Sequence, residues 1–223
     1  MPFTGPHVFS TGAGAVDRRT LGEFKAELAR PYNPNDETML AIAHDCVNAA
    51  IRKYNRKVWP WEILTADVTF SSDDETEALP QPFKKPLAAY ELVASNQDRR
   101  LAFIPYESFI EFHGIRSRGQ PTSYTLRNVF ETGQITVFPI PISGTDVRVH
   151  YYRRTPILRK DAEPFEGPPE FEEAILSEAR YSIMQRRPGT SGTLLADARV
   201  AAAVAERELV QFAAMRGDNI GLA

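Results

Sequence analysis

Residues 121–156 constrain the fold most strongly, because three short β-type runs follow one another there with turn signals between them. The runs are residues 123–127, 134–138 and 147–152. Apolar and polar side chains alternate in each run, which is typical of a strand with one buried face. Gly133 and Gly144 lie in the intervening segments, where hairpins need a residue that tolerates positive φ. The sequence therefore predicts an antiparallel meander of three strands with its apolar residues on one side, namely Tyr124, Leu126, Ile135, Val137, Val147, Val149 and Tyr151.

Helical patterns flank this meander on both sides. Thr20 precedes a short apolar stripe that stops before Pro31, and Asp36 precedes a longer stripe. Two further helices are predicted after Pro168, and the last carries a heptad-like seam from Leu195 to Phe212. We therefore predict an α+β fold, a helical bundle of about four helices into which an antiparallel β-rich subdomain is inserted.

The same patterns predict how the chain is divided. The first residues are rich in glycine and proline and bury little apolar surface, which favours an extended arm. The predicted segments are a flexible N-terminal arm (1–17), a discontinuous helical domain (18–62 and 157–217), a β-rich insertion (63–156) and a C-terminal tail (218–223).

Two tryptophans flank a proline where the second helix gives way to the first strand. Trp59 and Trp61 carry large apolar surfaces, and Pro60 between them is incompatible with a continuing helix. We expect this pair to anchor helix against sheet.

Composition excludes several classes of protein. The formal net charge of -3 argues against a dedicated sequence-specific nucleic-acid binder. One cysteine, Cys46, rules out an intrachain disulfide or a multi-cysteine zinc site, and we expect it to be a buried core residue. No stretch approaches the roughly 20 apolar residues of a membrane span. The first 17 residues lack the features of a signal peptide, so synthesis in a reducing cytoplasm is expected.

No motif for catalysis, metal binding or cofactor binding stands out. The histidines have no paired metal spacing, and no glycine-rich phosphate loop follows a strand. We therefore predict no enzyme, no cofactor and no metal. One alternative is a carboxylate-metal hydrolase that would use Asp67, Asp73, Asp74 and Glu75. A second alternative is a small DNA-binding or packaging accessory protein that would use Arg116, Arg118, Arg153 and Arg154.

Charge is segregated along the chain, and this segregation predicts an interface. Basic residues cluster at the end of the second helix and after the meander, whereas acidic residues dominate residues 161–178. Heterologous interfaces between identical subunits need two complementary surfaces, and charges of opposite sign supply them. The predicted interface residues are Arg52, Arg56, Lys57, Arg153, Arg154, Arg159, Glu170, Glu172 and Glu173.

The order of several short motifs resembles that of a tailed-bacteriophage family. These motifs are the Trp-Pro-Trp helix exit, the Leu79-Pro80 segment, Gly119-Gln120-Pro121 before Tyr124, residues 135–141, Tyr151-Tyr152-Arg153-Arg154 followed by Pro156, and a closing helix pair. Over about residues 20–215 the chain resembles the head-to-tail adaptors, also called head completion or tail tubular protein A-like proteins. The long N-terminal arm departs from that pattern.

The resemblance implies a structural virion protein. In that family the subunits form a ring, usually of a dozen copies, beneath the portal protein at the head–tail junction. The ring contacts a downstream tail or nozzle protein, and genomic DNA passes through its channel without sequence-specific binding. The expected partners are therefore other copies of the chain, the portal, a tail protein and passing DNA, with no membrane.

Overall fold

The computed structural model describes residues 18–93, 98–112, 117–129 and 133–218. These residues divide into two compact units. The β unit comprises residues 62–154, and the helical unit comprises residues 18–61 together with 155–218. The predicted N-terminal arm and residues 219–223 of the predicted tail lie outside the described residues.

Five α-helices occur in the described part of the chain, four of them in the helical unit. They are α1 (Leu21–Ala29), α2 (Glu37–Tyr54), α3 (Tyr106–Phe112, in the β unit), α4 (Pro169–Arg186) and α5 (Gly192–Asp218). Thr20 caps α1 in a capping box with Glu23, and the Asp36 carboxylate accepts from the first free amides of α2. None of the described helices is long and apolar enough to cross a membrane.

The core of the helical unit is built from the apolar stripes that the sequence shows. Leu21, Phe24 and Leu28 of α1 are buried against α2 and α4, and Cys46 is buried as predicted. Burial also raises the pKa of the Cys46 thiol. Gly167 precedes α4 where only a hydrogen atom fits, because a Cβ there would lie 2.4 Å from the Phe165 ring. The predicted seam of α5 does face inward, since Ala202, Ala205 and Leu209 are buried.

The β unit contains two four-stranded sheets. Its strands are β1 (Ile63–Phe70), β2 (Thr76–Ala78), β3 (Phe83–Glu91), β4 (Arg99–Arg100), β5 (Ala102–Phe103), β6 (Ser123–Arg127), β7 (Gln134–Phe138) and β8 (Thr145–Arg153). One sheet has the order β1-β8-β3-β4 and the other the order β2-β7-β6-β5. Side chains from both sheets meet in a single buried cluster that includes Phe70, Val149, Tyr124 and Val137. The sheets therefore share one core.

The predicted three-stranded meander is wrong, because its third strand belongs to the other sheet. β6 and β7 pair as expected, with Tyr124 opposite Val137, but β8 lies between β1 and β3 and pairs with both. Pro139 and Pro141 follow β7, and proline has no N–H to continue a ladder. The chain crosses to the second sheet after these prolines, where β8 pairs with all eight residues of β1.

The prediction of a single buried face is also wrong for β6 and β7. Thr125 and Thr136 lie on the side that alternation assigns to solvent, yet both are buried. Phe109 of α3 is also buried, and its ring contacts that of Phe138 edge-on with centroids 6.2 Å apart. The Thr76 and Thr136 hydroxyls, 3.0 Å apart, satisfy each other on this side.

The predicted fold class is therefore wrong in its proportions. The chain is α+β, but the β part is a sheet-rich domain with its own two-sheet core and not a small insertion in a helical bundle. β2 and β5, which lie beside β7 and β6 in the second sheet, are only three and two residues long, so their contribution to that sheet leaves little trace in the sequence.

Candidate functional site

The tryptophan pair belongs to the aromatic contacts of the helical unit, with Trp59 buried in its core and Trp61 half-buried against it. Trp59 and Trp61 stack with ring centroids 5.1 Å apart, and both contact Phe171 of α4. Trp61 also contacts Phe212 of α5, and the Trp59 indole N–H donates to the carbonyl of Tyr54 at 3.1 Å. The pair therefore joins three helices, and its predicted role between helix and sheet stays a prediction.

Asn48 of α2 and Asn55, the residue just after α2, hold an extended segment, residues 155–158, which we call the strap. Asn55 donates to the carbonyl of Thr155 at 2.9 Å and accepts from its N–H at 3.0 Å. Asn48, two helical turns earlier, bonds Leu158 in the same reciprocal way at 2.9 and 3.1 Å. Because each amide satisfies both backbone groups of one strap residue, the strap is fixed along α2 without a strand partner.

Part of the predicted basic cluster is neutralised inside the helical unit. Lys57 contacts Glu206 of α5 at 2.5 Å, and Lys53 contacts Glu178 of α4 at 2.8 Å and Glu206 at 3.3 Å. The hydrogen bond from Lys57 is the main reason that the pKa of Glu206 is lowered, although partial burial opposes the shift. Lys53 and Lys57 therefore tie α2 and the turn after it to the rest of the helical unit, and the intersubunit contact of Lys57 stays a prediction.

The remaining basic residues of α2 and the strap face outward. Arg52 is exposed on α2, and Arg56 is exposed one turn later, just after the helix ends; neither side chain has a hydrogen bond or ion pair to other described residues. The Arg159 side chain is exposed just beyond the strap. Arg153 and Arg154, at the end of the β unit, are half-buried and have partners within the chain. Arg52, Arg56 and Arg159 thus form the exposed part of the predicted basic surface.

The predicted acidic residues lie in the first turn and a half of α4. Glu170 and Glu173 are exposed, and carboxylates here are favoured by the positive end of the helix dipole. Glu172 is half-buried, and burial raises the pKa of its carboxyl even though Arg19 opposes the shift. Glu170 and Glu173 are therefore the members of this group that a neighbouring molecule can reach.

A family comparison decides what kind of protein carries these surfaces. The model of the SU10 adaptor protein family, a phage head–tail adaptor family, matches residues 19–219. The chain belongs to the SU10 adaptor family. The resemblance seen in the sequence is thereby confirmed. No curated protein matches the chain.

Membership in the SU10 adaptor family makes the chain a component of the phage virion with a structural role. Two of the acidic residues that a hydrolase would need form ion pairs with arginines. Asp67 forms a two-point ion pair with Arg148 at 2.9 and 3.1 Å, and Asp73 lies 3.2 Å from Arg118. Among the described residues no group of three or more His, Cys, Asp or Glu side chains is placed to hold a metal ion.

Only some of the arginines in the DNA-binding alternative are accessible to another molecule in this structure. Arg116 lies outside the described residues, and Arg118 is exposed but faces Asp73. Arg153 and Arg154 are half-buried. The described members of this set therefore do not form a continuous exposed basic face.

Sequence reasoning missed three residues that organise this site. Glu206 lies in a short charged run of α5, residues 206–208, and its partners Lys53 and Lys57 are about 150 positions away along the chain. Asn48 and Asn55 were also missed. Their spacing of two helical turns on an otherwise apolar stripe is the signal that could have found them, because a buried asparagine requires partners.

Proposed function

We propose that this SU10 adaptor is a head-to-tail adaptor that assembles as a homo-oligomeric ring, of about a dozen copies, beneath the portal. The ring joins the DNA-filled capsid to a downstream tail or nozzle protein and leaves a channel for the genome. The family match over residues 19–219 is the observation that carries the proposal.

The charged surfaces support the lateral contacts of such a ring. A ring closes through heterologous interfaces, in which one surface of a subunit meets a different surface of its neighbour. Arg159, with Arg52 and Arg56, offers a positive surface, and Glu170 with Glu173 offers a negative one. Pairing between these surfaces in neighbouring subunits contributes to the assembly and to its register.

The net charge supports a conduit rather than a DNA-binding role. A channel lined strongly by lysine and arginine would bind the phosphate backbone through counterion release and slow the passage of DNA. A chain with a net charge of -3 avoids that retention.

The test is the mass and shape of the purified protein, alone and mixed with the portal of the same genome. Light scattering and negative-stain imaging should show rings or portal-bound collars of about a dozen copies. A monomer that ignores the portal would refute the adaptor ring, and salt-sensitive duplex binding by that monomer would favour the accessory-protein alternative.

Charge reversal tests the lateral pairing within the same assay. Arg159→Glu and Glu173→Arg should each weaken assembly, and the double variant should recover part of it. Arg118→Glu is the matched control, because Arg118 is an exposed arginine of the β unit. Assembly that is unchanged in both single variants would refute this pairing and leave the ring itself in place.

A further inference from the structure

Helix α5 has a second apolar face that points away from the helical unit. Its inward seam is Ala202, Ala205 and Leu209, at spacings of three and four residues. On the other side the side chain of Val200 is 61% exposed and that of Val204 48%, with exposed Ala196 and Ala203 beside them. Five large exposed apolar residues lie on this one helix, namely Leu194, Val200, Val204, Val210 and Met215. We call the stripe around Val200 and Val204 the outer face of α5.

A helix of a soluble protein normally has one apolar stripe. A second, outward stripe with clustered valines is the pattern of a helix that packs on another molecule. Asp197 and Arg207 lie on this face near its two ends, and neither side chain has a hydrogen bond or ion pair to other described residues. The outer face therefore offers apolar contact in the middle with opposite charges on either side.

The exposed face of α2 carries an acid and a base in the same order. Ala41, Asp45 and Arg52 recur at helical spacing on one side of α2, Arg56 lies two residues after its last residue, and all four are exposed. The Asp45 carboxylate lies 3.5 Å from the imidazole of His44, and Arg56 is exposed near the end of the helix. Between these two charges lie the exposed Arg52 and the half-buried Ala49, whose side chain is small.

The separations of these charges along the two helices agree. Asp45 of α2 and Arg56, two residues after the end of that helix, are eleven positions apart, and Asp197 and Arg207 are ten positions apart on α5. At the helical rise these separations are about 16 Å and about 15 Å. In both helices the acid precedes the base. An antiparallel pairing therefore sets Asp45 opposite Arg207 and Arg56 opposite Asp197, whereas a parallel pairing sets like charges together.

We propose that the outer face of α5 packs antiparallel against the exposed face of α2 in a second copy of this chain. Val204 then lies opposite Ala49, where the small side chain permits the helix separation of 8–10 Å that close packing requires. This inference rests on the proposed ring, because two different faces of one chain that fit each other form a heterologous contact able to close a cycle. Arg159 lies just after the strap, at the end away from Asn55. Its exposed side chain remains available to face the acidic start of α4.

The first test is disruption of the apolar contact. Val204→Glu should raise the concentration required for assembly by more than tenfold, because it places a carboxylate in the centre of the contact. Ile142→Glu is the matched control, since Ile142 is 65% exposed on the β unit and should leave assembly unchanged. Circular dichroism should show both variants folded.

The second test addresses the direction of the pairing. Asp45→Arg and Arg207→Glu should each weaken assembly, and the double variant should restore it. With Ala49→Cys and Val204→Cys in one chain, oxidation should produce a ladder of covalent oligomers, since each copy then links to two neighbours. Val204→Cys alone should remain uncrosslinked.

The outcomes separate this inference from the proposed function. Rings or collars that form equally well with Val204→Glu would overturn the α5 contact and leave the adaptor ring standing. A covalent dimer from Val204→Cys alone would show α5 pairing with α5 across a two-fold axis and would overturn the inference. A chain that stays monomeric with and without the portal would overturn both.

Discussion

Replacement of Asn48 by alanine should destabilise the helical unit by about 2–4 kcal/mol. The Asn48 side chain is 3% exposed, and its amide makes two hydrogen bonds to the backbone of Leu158, which is itself buried. A typical net contribution is about 1 kcal/mol for each bond, and each buried backbone group left without a partner adds about 1–3 kcal/mol to the loss. Water can partly fill the gap that the missing amide leaves, so the expected loss of stability stays below the sum of the largest values for these groups.

Urea unfolding followed by tryptophan fluorescence measures this effect selectively. The chain has two tryptophans, of which Trp59 is buried in the core of the helical unit and Trp61 packs against that core. With an m-value of about 2 kcal/mol/M, the expected loss lowers the urea midpoint by about 1–2 M. Equal m-values for both proteins would show that stability changed and not the denatured state.

Two matched variants make this prediction specific. Asn55→Ala removes the same pair of bonds at a partly buried site, so water can replace them and the loss should be smaller, about 1–2 kcal/mol. Asn48→Asp keeps the shape but removes the donor to the Leu158 carbonyl, so at neutral pH it should be no more stable than Asn48→Ala. A midpoint for Asn48→Ala within 0.2 M of the unaltered protein would refute the reasoning, because the strap would then not depend on Asn48.

Three further predictions concern packing and titration. Gly167→Ala should cost about 1–3 kcal/mol in urea unfolding, because its Cβ would collide with the buried rings of Phe165 and Phe171; a neutral result would contradict the tight approach. Glu206→Gln should lower stability by about 1 kcal/mol, measured as a urea midpoint at neutral pH, because it weakens the links to Lys53 and Lys57. Those lysines lower the pKa of Glu206, so the ionised carboxylate stabilises the fold at pH values above the ordinary carboxyl pKa. This stabilisation is lost as the pH falls through the lowered pKa of the folded protein. The Gln variant should therefore lose less stability on acidification than the unaltered protein. His150 should titrate below about 6.5 in an NMR pH series, because burial first and Arg148 second lower its pKa against the opposing pull of Asp67 and Asp98. The folded protein favours the neutral form of His150, so its stability should fall below about pH 6.5, where the unfolded chain takes up a proton at this histidine. An NMR titration midpoint of His150 at or above the ordinary histidine pKa would contradict this account.

Local chemistry made the helices predictable. Thr20 and Asp36 cap α1 and α2, and Pro169 opens α4, because capping oxygens and proline act within a few residues of a helix start. The inward seam of α5 was predictable for a similar reason, since its spacing of three and four residues is an intrinsic property of the helix. These features depend on residues that are close together in the sequence, so the sequence alone is sufficient to predict them.

The arrangement of the strands was not predictable in the same way. β8 alternates as an outer strand of a meander would, yet it is an interior strand with β1 and β3 as neighbours. Alternation reports that a strand has an apolar face, but it does not report which strand supplies the opposite face. β1 lies about 80 positions before β8, so the choice depends on the packing of the whole two-sheet core.

The same limit applies to the charged surfaces, and it explains which residues are candidates for assembly. Lys57 and Arg56 are adjacent in the sequence and equally basic, but in the turn that follows α2 the Lys57 side chain contacts Glu206 whereas the Arg56 side chain is exposed. A charge that is satisfied within the subunit gains little from a neighbour, whereas an exposed arginine can gain a partner without breaking a bond. For that reason Arg52, Arg56 and Arg159 are stronger candidates for contacts between subunits than Lys57, although the sequence presents them as one cluster.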